Sequence, residues 1–115
     1  MISQNVFLQG AYDFSGAGLA APQAVDAELT HTVPDGVVAQ AVYFRGGNSS
    51  DELVVVSLVK DGVPVRLFPI GAQGSVHVPL RIVEDLIGGT VVELQVAAPD
   101  GVSGTIVVDL GLVEV

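Results

Sequence analysis

The sequence predicts an all-β domain, an antiparallel β-sandwich of the jelly-roll kind with about seven or eight strands and no substantial helix. Three observations carry that expectation. The apolar residues are dominated by Val, Ile, Leu and Ala, and β-branched side chains suit a pleated sheet better than a helix. Apolar and polar residues alternate with period two in the Ala24 to Val33 run. Gly, Pro and Asp punctuate the chain too often to leave room for a long helix. At 115 residues, one domain over 1–115 with one hydrophobic core is expected.

Val6 to Gln9 reads as an early strand, and Gly10 to Ala24, rich in Gly and Ala, as a long loop or irregular edge holding Tyr12 and Phe14. Val25, Ala27, Leu29 and Val33 alternate with Asp26, Glu28, Thr30 and Thr32, which predicts one half-buried strand over Ala24 to Val33. Pro34-Asp35-Gly36 has the chemistry of a tight turn, so a hairpin to a strand over Val37 to Arg45 is expected. Asp61-Gly62 is the dipeptide of two-residue type I′ turns and predicts a hairpin between Glu52–Lys60 and Val63–Ile70. Further strands are expected at Ser75 to Val83, Thr90 to Ala97 and Thr105 to Val113. Arg81 to Ile87 has apolar residues at helical spacing but is too short for a stable helix, and reads as a connection. Asp-Gly-Val recurs at Asp35, Asp61 and Asp100, which shared turn chemistry explains more simply than duplication.

Half of the residues are apolar and only 15% are charged, a balance that leaves apolar surface for a partner. Thirteen acidic residues against Arg45, Lys60, Arg66 and Arg81 give a formal charge of −9, which repels phosphate backbones and anionic lipid. Neither nucleic acid nor a membrane is therefore an expected partner. Absence of Cys removes disulfides, Cys-based zinc sites and thiol nucleophiles. Met1 to Asn5 carries no basic residue and no long apolar run, so no secretory leader is expected and synthesis in a cytoplasm is.

No arrangement with catalytic spacing stands out. His31 and His77 each sit inside a strand pattern without a ligand-type spacing, and read as independent strand histidines rather than a metal pair. No G-x-S-x-G elbow is present, and the carboxylates, Glu84 and Asp85 among them, read as solvated surface. The Gly46 to Glu52 stretch offers oxygens to calcium but lacks the alternating acidic ligands of a calcium loop, so a solvated tip is expected. No catalytic, cofactor-binding or metal-ligating residue is therefore expected, and the chain is not expected to be an enzyme.

Leu53-Val54-Val55-Val56-Ser57-Leu58-Val59-Lys60-Asp61-Gly62-Val63 resembles the strand and turn of trimeric jelly rolls of the tumour-necrosis-factor and complement-head type. Ser75 to Leu80, Gly89 to Leu94 and Ser103 to Val108 continue that resemblance, which implies the architecture alone. As a type, a short, acidic, Cys-free β-sandwich rich in Val, Gly and Ala is similar to the decoration, or cement, proteins of tailed-phage heads. That likeness implies a homotrimer on the virion surface, bound between major capsid subunits. The residues expected to make such contacts are Ile2, Phe7, Tyr12, Phe14 and Leu19, with Leu112 and Val113. The alternative is a module for carbohydrate or a host surface, using Tyr12, Tyr43, Asn48, Asp51 and Glu52.

Overall fold

The computed structural model describes residues 3–81 and 84–115. It is all-β. Among the described residues ten strands run as β1 (Gln4–Ser15), β2 (Gln23–Ala24), β3 (Thr30–Thr32), β4 (Val38–Asn48), β5 (Val54–Lys60), β6 (Val63–Ile70), β7 (Ser75–Pro79), β8 (Leu86–Ile87), β9 (Val91–Ala97) and β10 (Ser103–Glu114). One sheet has the order β1-β10-β4-β7, with β8 also on β4; the other has the order β2-β9-β5-β6, with β3 also on β9. All pairings are antiparallel.

The expected loop at Gly10 to Ala24 is a correction. β1 continues to Ser15 and stays in register with β10 throughout, from Gln4 opposite Glu114 to Ser15 opposite Ser103. Its inward positions, Val6, Leu8, Tyr12 and Phe14, keep period two across Gly10, where the missing side chain leaves room for the Tyr12 ring. Glycine weakened the sequence pattern, yet here it accommodates the next inward aromatic.

The alternation at Ala24 to Val33 does not make one strand. The Asp26 carboxylate accepts a hydrogen bond from the Glu28 N–H at 2.8 Å and caps a single 3₁₀ turn over Ala27–Leu29. A short polar side chain offers the backbone a local alternative to the ladder, and Leu29 becomes fully buried in consequence. The flanking pieces, β2 and β3, still both pair with β9, so Val25 to Leu29 stand opposite Leu94 alone.

Pro34-Asp35-Gly36 turns the chain as expected, with Gly36 at φ 77°, but it joins the two sheets and is no hairpin. Val33 exchanges hydrogen bonds with Thr90 and Gly89, whereas Val38 exchanges them with Val115. The Asp61-Gly62 hairpin does form, and its φ values of 48° and 81° are those of a type I′ turn. In the Arg81 to Ile87 connection, Leu86 and Ile87 pair with β4, while Ile82 and Val83 lie outside the described residues.

The core lies between the sheets. Phe44 from β4 stacks on Phe68 from β6, with ring centroids 4.2 Å apart and planes within 9°. Near that end, Asn48 is buried and ties three segments together. Its side-chain amide donates to the carbonyls of Glu52, Ile70 and Gly71 at 2.8, 3.3 and 3.2 Å, and its oxygen accepts from the Ser50 N–H and hydroxyl. A second link between the sheets pairs His31 Nε2 with the buried Glu114 Oε2 at 2.9 Å. Removing the Asn48 amide leaves buried groups unsatisfied, so Asn48→Ala should destabilise the fold by about 3 kcal/mol, read as a lower urea midpoint at unchanged m-value.

Candidate interaction surfaces

Strand register defines what each sheet shows to the outside. On the outer face of the β1-β10-β4-β7 sheet, Phe7, Gly111, Tyr43 and Pro79 form one cross-strand row, and Gln9, Asp109, Arg45 and His77 form the next. A bulge at Val42 sets this phase: Leu112 pairs with Ala41 and Gly111 with Tyr43, so Ala41 and Phe44 both point inward while Tyr43 points out.

Tyr43 lies across Gly111, where a Cβ would overlap its ring, and its hydroxyl donates to Asp109 Oδ1 at 2.9 Å. The Arg45 guanidinium lies 5.3 Å from the ring centroid, and His77 meets the ring edge-on at 6.3 Å. Burial, then the Asp109 hydrogen bond and charge, push the Tyr43 hydroxyl above its ordinary value of 10.0, and Arg45 pulls the other way. The arrangement is an aromatic patch beside a polar row, suited to a flat ligand with both apolar and hydroxylated sides.

The other sheet shows a different outer face. Its rows read Pro69, Val55, Ala97; then Leu67, Ser57, Gln95, Ala24; then Pro64, Val59, Glu93, Thr30. The β5–β6 half of this face is apolar apart from Ser57, and Leu67 stands 65% exposed at its centre. Val59 and Ala97 are buried without joining the inter-sheet core. Pro64 and Pro69 deprive the β6 edge of two N–H donors. The β1 edge, twelve residues with no Pro, Lys or Arg, has no such protection.

The structure redistributes the residues singled out from sequence. Phe7 is 48% exposed in the row beside Gly111, Leu19 is exposed in the β1–β2 connection, and Val113 is half-buried on the outer face. Phe14 and Leu112 are corrections, because period two turns both inward and leaves them 6% and 1% exposed in the core. Tyr12 also faces inward, and its hydroxyl donates to Glu28 at 3.0 Å, closing the seam between β1 and the 3₁₀ turn. Burial, the Glu28 bond, and the charges of Glu28 and Asp26 push that hydroxyl up as well. Ile2 lies outside the described residues.

The alternative ligand set is not gathered into one place. Tyr12 faces the core and Tyr43 the outside, and Asn48 is a buried clamp rather than a solvated tip residue. Asp51 is exposed and accepts from Gln73 at 2.6 Å, while Glu52 offers the clamp its carbonyl. The apolar β5–β6 face escaped the sequence reading, although Val63 to Ile70 lacks polar alternation, the signal of a strand apolar on both sides. Among the described residues no three His, Cys, Asp or Glu side chains gather as a metal site.

No family model and no curated protein matches the chain. Solved structures do. A family 36 carbohydrate-binding module in complex with calcium and xylotriose is 19% identical, with a TM-score of 0.59 over 94% of this chain and 97% of that one. A chain of the disulfide-linked pili that form Bacillus endospore appendages is 11% identical, with a TM-score of 0.52 over 99% and 89%. A chain in the structure of the infectious bursal disease virus Gx strain is 14% identical, with a TM-score of 0.51 over 98% of this chain but 32% of that one. These likenesses show the fold, a jelly-roll β-sandwich.

Tyr43 gives the outer face a measurable signature. Its folded-state value lies above the unfolded one, so its stabilising contribution is complete below pH 10.0 and is lost as pH rises through the folded value. In a Tyr12→Phe background, Asp109→Ala should return the remaining hydroxyl toward 10.0, as followed by ultraviolet titration.

Proposed function

We propose that the chain is a structural assembly protein, most concretely a decoration protein that seats as a homotrimer between major capsid subunits on a virion surface. It binds and does not catalyse. The observation that carries this reading is the apolar outer face of β5 and β6, with Leu67 at its centre and Val55, Pro64 and Pro69 around it. A patch of this kind on a protein of charge −9 is a contact surface, because water gains when a complementary apolar surface covers it. The open β1 edge gives a second way to join neighbours, by strand addition. Chains of a virus structure and of pili among the structures with this fold agree with an assembly role.

Burying a leucine contributes about 1.5–3 kcal/mol, and 1.4 kcal/mol is about tenfold in affinity. Leu67→Lys should therefore weaken association at least tenfold, while an exposed position leaves the unfolding midpoint nearly unchanged. Mass photometry across a concentration series checks this, and a wild-type chain that stays monomeric and binds no capsid particle would overturn the reading.

A second reading rests on Tyr43 and its polar neighbours Gln9, Asp109, Arg45 and His77: a glycan-binding face. Carbohydrate-binding modules share the fold, and aromatic faces stack on sugar rings. On a glycan array, Tyr43→Ala should abolish binding that Leu67→Lys leaves intact; silence of the wild type would remove this reading.

A further inference from the structure

The two seams of the sandwich differ. On one side Tyr12 and the 3₁₀ turn close the gap between β1 and the opposite sheet. On the other, between β6 and the β7–β8 side, two adjoining cavities of about 290 and 360 Å³ share Arg66 and Leu80. The larger opens beside Phe68 and Val78, and the smaller reaches between the sheets to Ala41, Leu58, Leu86 and Val92. Sequence and register both contribute to this slot. β4 places only Ala39 and Ala41 inward at this end, and the β6 bulge at Val65 puts Val65 and Arg66 both along the slot.

Charge is segregated to the same place. Of four cationic residues in a chain with thirteen acids, Lys60, Arg66 and Arg81 all line these cavities. Glu84 also lines the smaller cavity, Asp85 beside it in sequence accepts from Gln40 at 2.6 Å, and Arg66 is already engaged by a partner. Lys60 and Glu84 approach to 3.8 Å as a partly exposed pair, a weak bond that an incoming carboxylate can displace.

An apolar slot with a cationic mouth takes an amphipathic anion, and its size reaches the range of small-molecule sites, about 300–1,000 Å³. We infer that this seam binds a medium-chain alkyl carboxylate, the hydrocarbon lying on Ala41, Leu58, Leu86 and Val92 and the carboxylate meeting Lys60 and Arg81. The neutral alcohol of the same length buries the same hydrocarbon without the charge. Charge complementarity therefore sets the specificity.

Decanoate, held below its micellar range, is the probe, and thermal unfolding with ¹H–¹⁵N chemical-shift mapping is the readout. Saturable binding should raise Tm, with decanol at least tenfold weaker and shifts centred on Ala41, Leu58 and Val92. Ala41→Leu fills the slot and should abolish binding with the fold retained. Lys60→Gln, at a partly exposed position that does not endanger folding, should weaken decanoate at least fivefold and leave decanol unchanged. No Tm rise at millimolar decanoate, a Tm that only falls, equal affinity for decanol, or shifts centred on Tyr43 would each overturn the assignment.

Discussion

The stack of Phe44 on Phe68 is the contact on which the two sheets depend. The rings come from opposite sheets and lie 4.2 Å apart, so they set the local separation of the layers. Gly46 answers to the same contact: a Cβ there would come within 2.8 Å of the Phe44 ring and 2.7 Å of Ile70 Cδ1. The neighbouring strand ends are then locked by the Asn48 amide, which holds the carbonyls of Glu52, Ile70 and Gly71. Large rings and a buried polar clamp make this end dense. Toward Ala41 and Ala39 the inward side chains of β4 become small, and space opens between the layers.

Two bulges convert a regular alternation into distinct surfaces. At Val42 the extra residue lets Ala41 and Phe44 share the core and brings Tyr43 out over Gly111. At Val65 it changes the phase of β6, so that Arg66 lines the slot while Leu67 faces outward. Each bulge moves one residue and thereby re-aims every residue beyond it. The aromatic patch, the apolar β5–β6 face and the cationic slot therefore rest on the same two irregularities.

The seams divide the charge as well. Asp26 and Glu28 lie beside Tyr12 at the closed seam, where burial, the Glu28 hydrogen bond and then their charge raise its hydroxyl above the ordinary value. Lys60, Arg66 and Arg81 lie at the open one. His31 and Glu114 join the sheets between β3 and the end of β10. A protein with so few cations gains directional surface by placing three together, since the remainder of its surface repels anions.

Much of the architecture was legible in the residues alone. Composition and period two gave the all-β sandwich, and Asp61-Gly62 gave its hairpin, because a type I′ turn is decided by two adjacent residues and their φ values. Pro34-Asp35-Gly36 marked a turn, but turn chemistry does not say whether the following strand pairs with the preceding one or crosses to the other sheet. Asp26 broke a clean alternation through a side-chain bond that hydrophobic periodicity does not register. Phe14 and Leu112 read as contact residues because apolar type alone does not reveal which face of a strand is covered. What the sequence determined by itself is whatever short-range stereochemistry controls: strand propensity, the type I′ turn and the charge balance. Only the tertiary structure decided the register beyond each bulge, the partner of each strand, and the gathering of Lys60, Arg66 and Arg81 at one seam. Those depend on residues far apart in sequence packing across a shared layer.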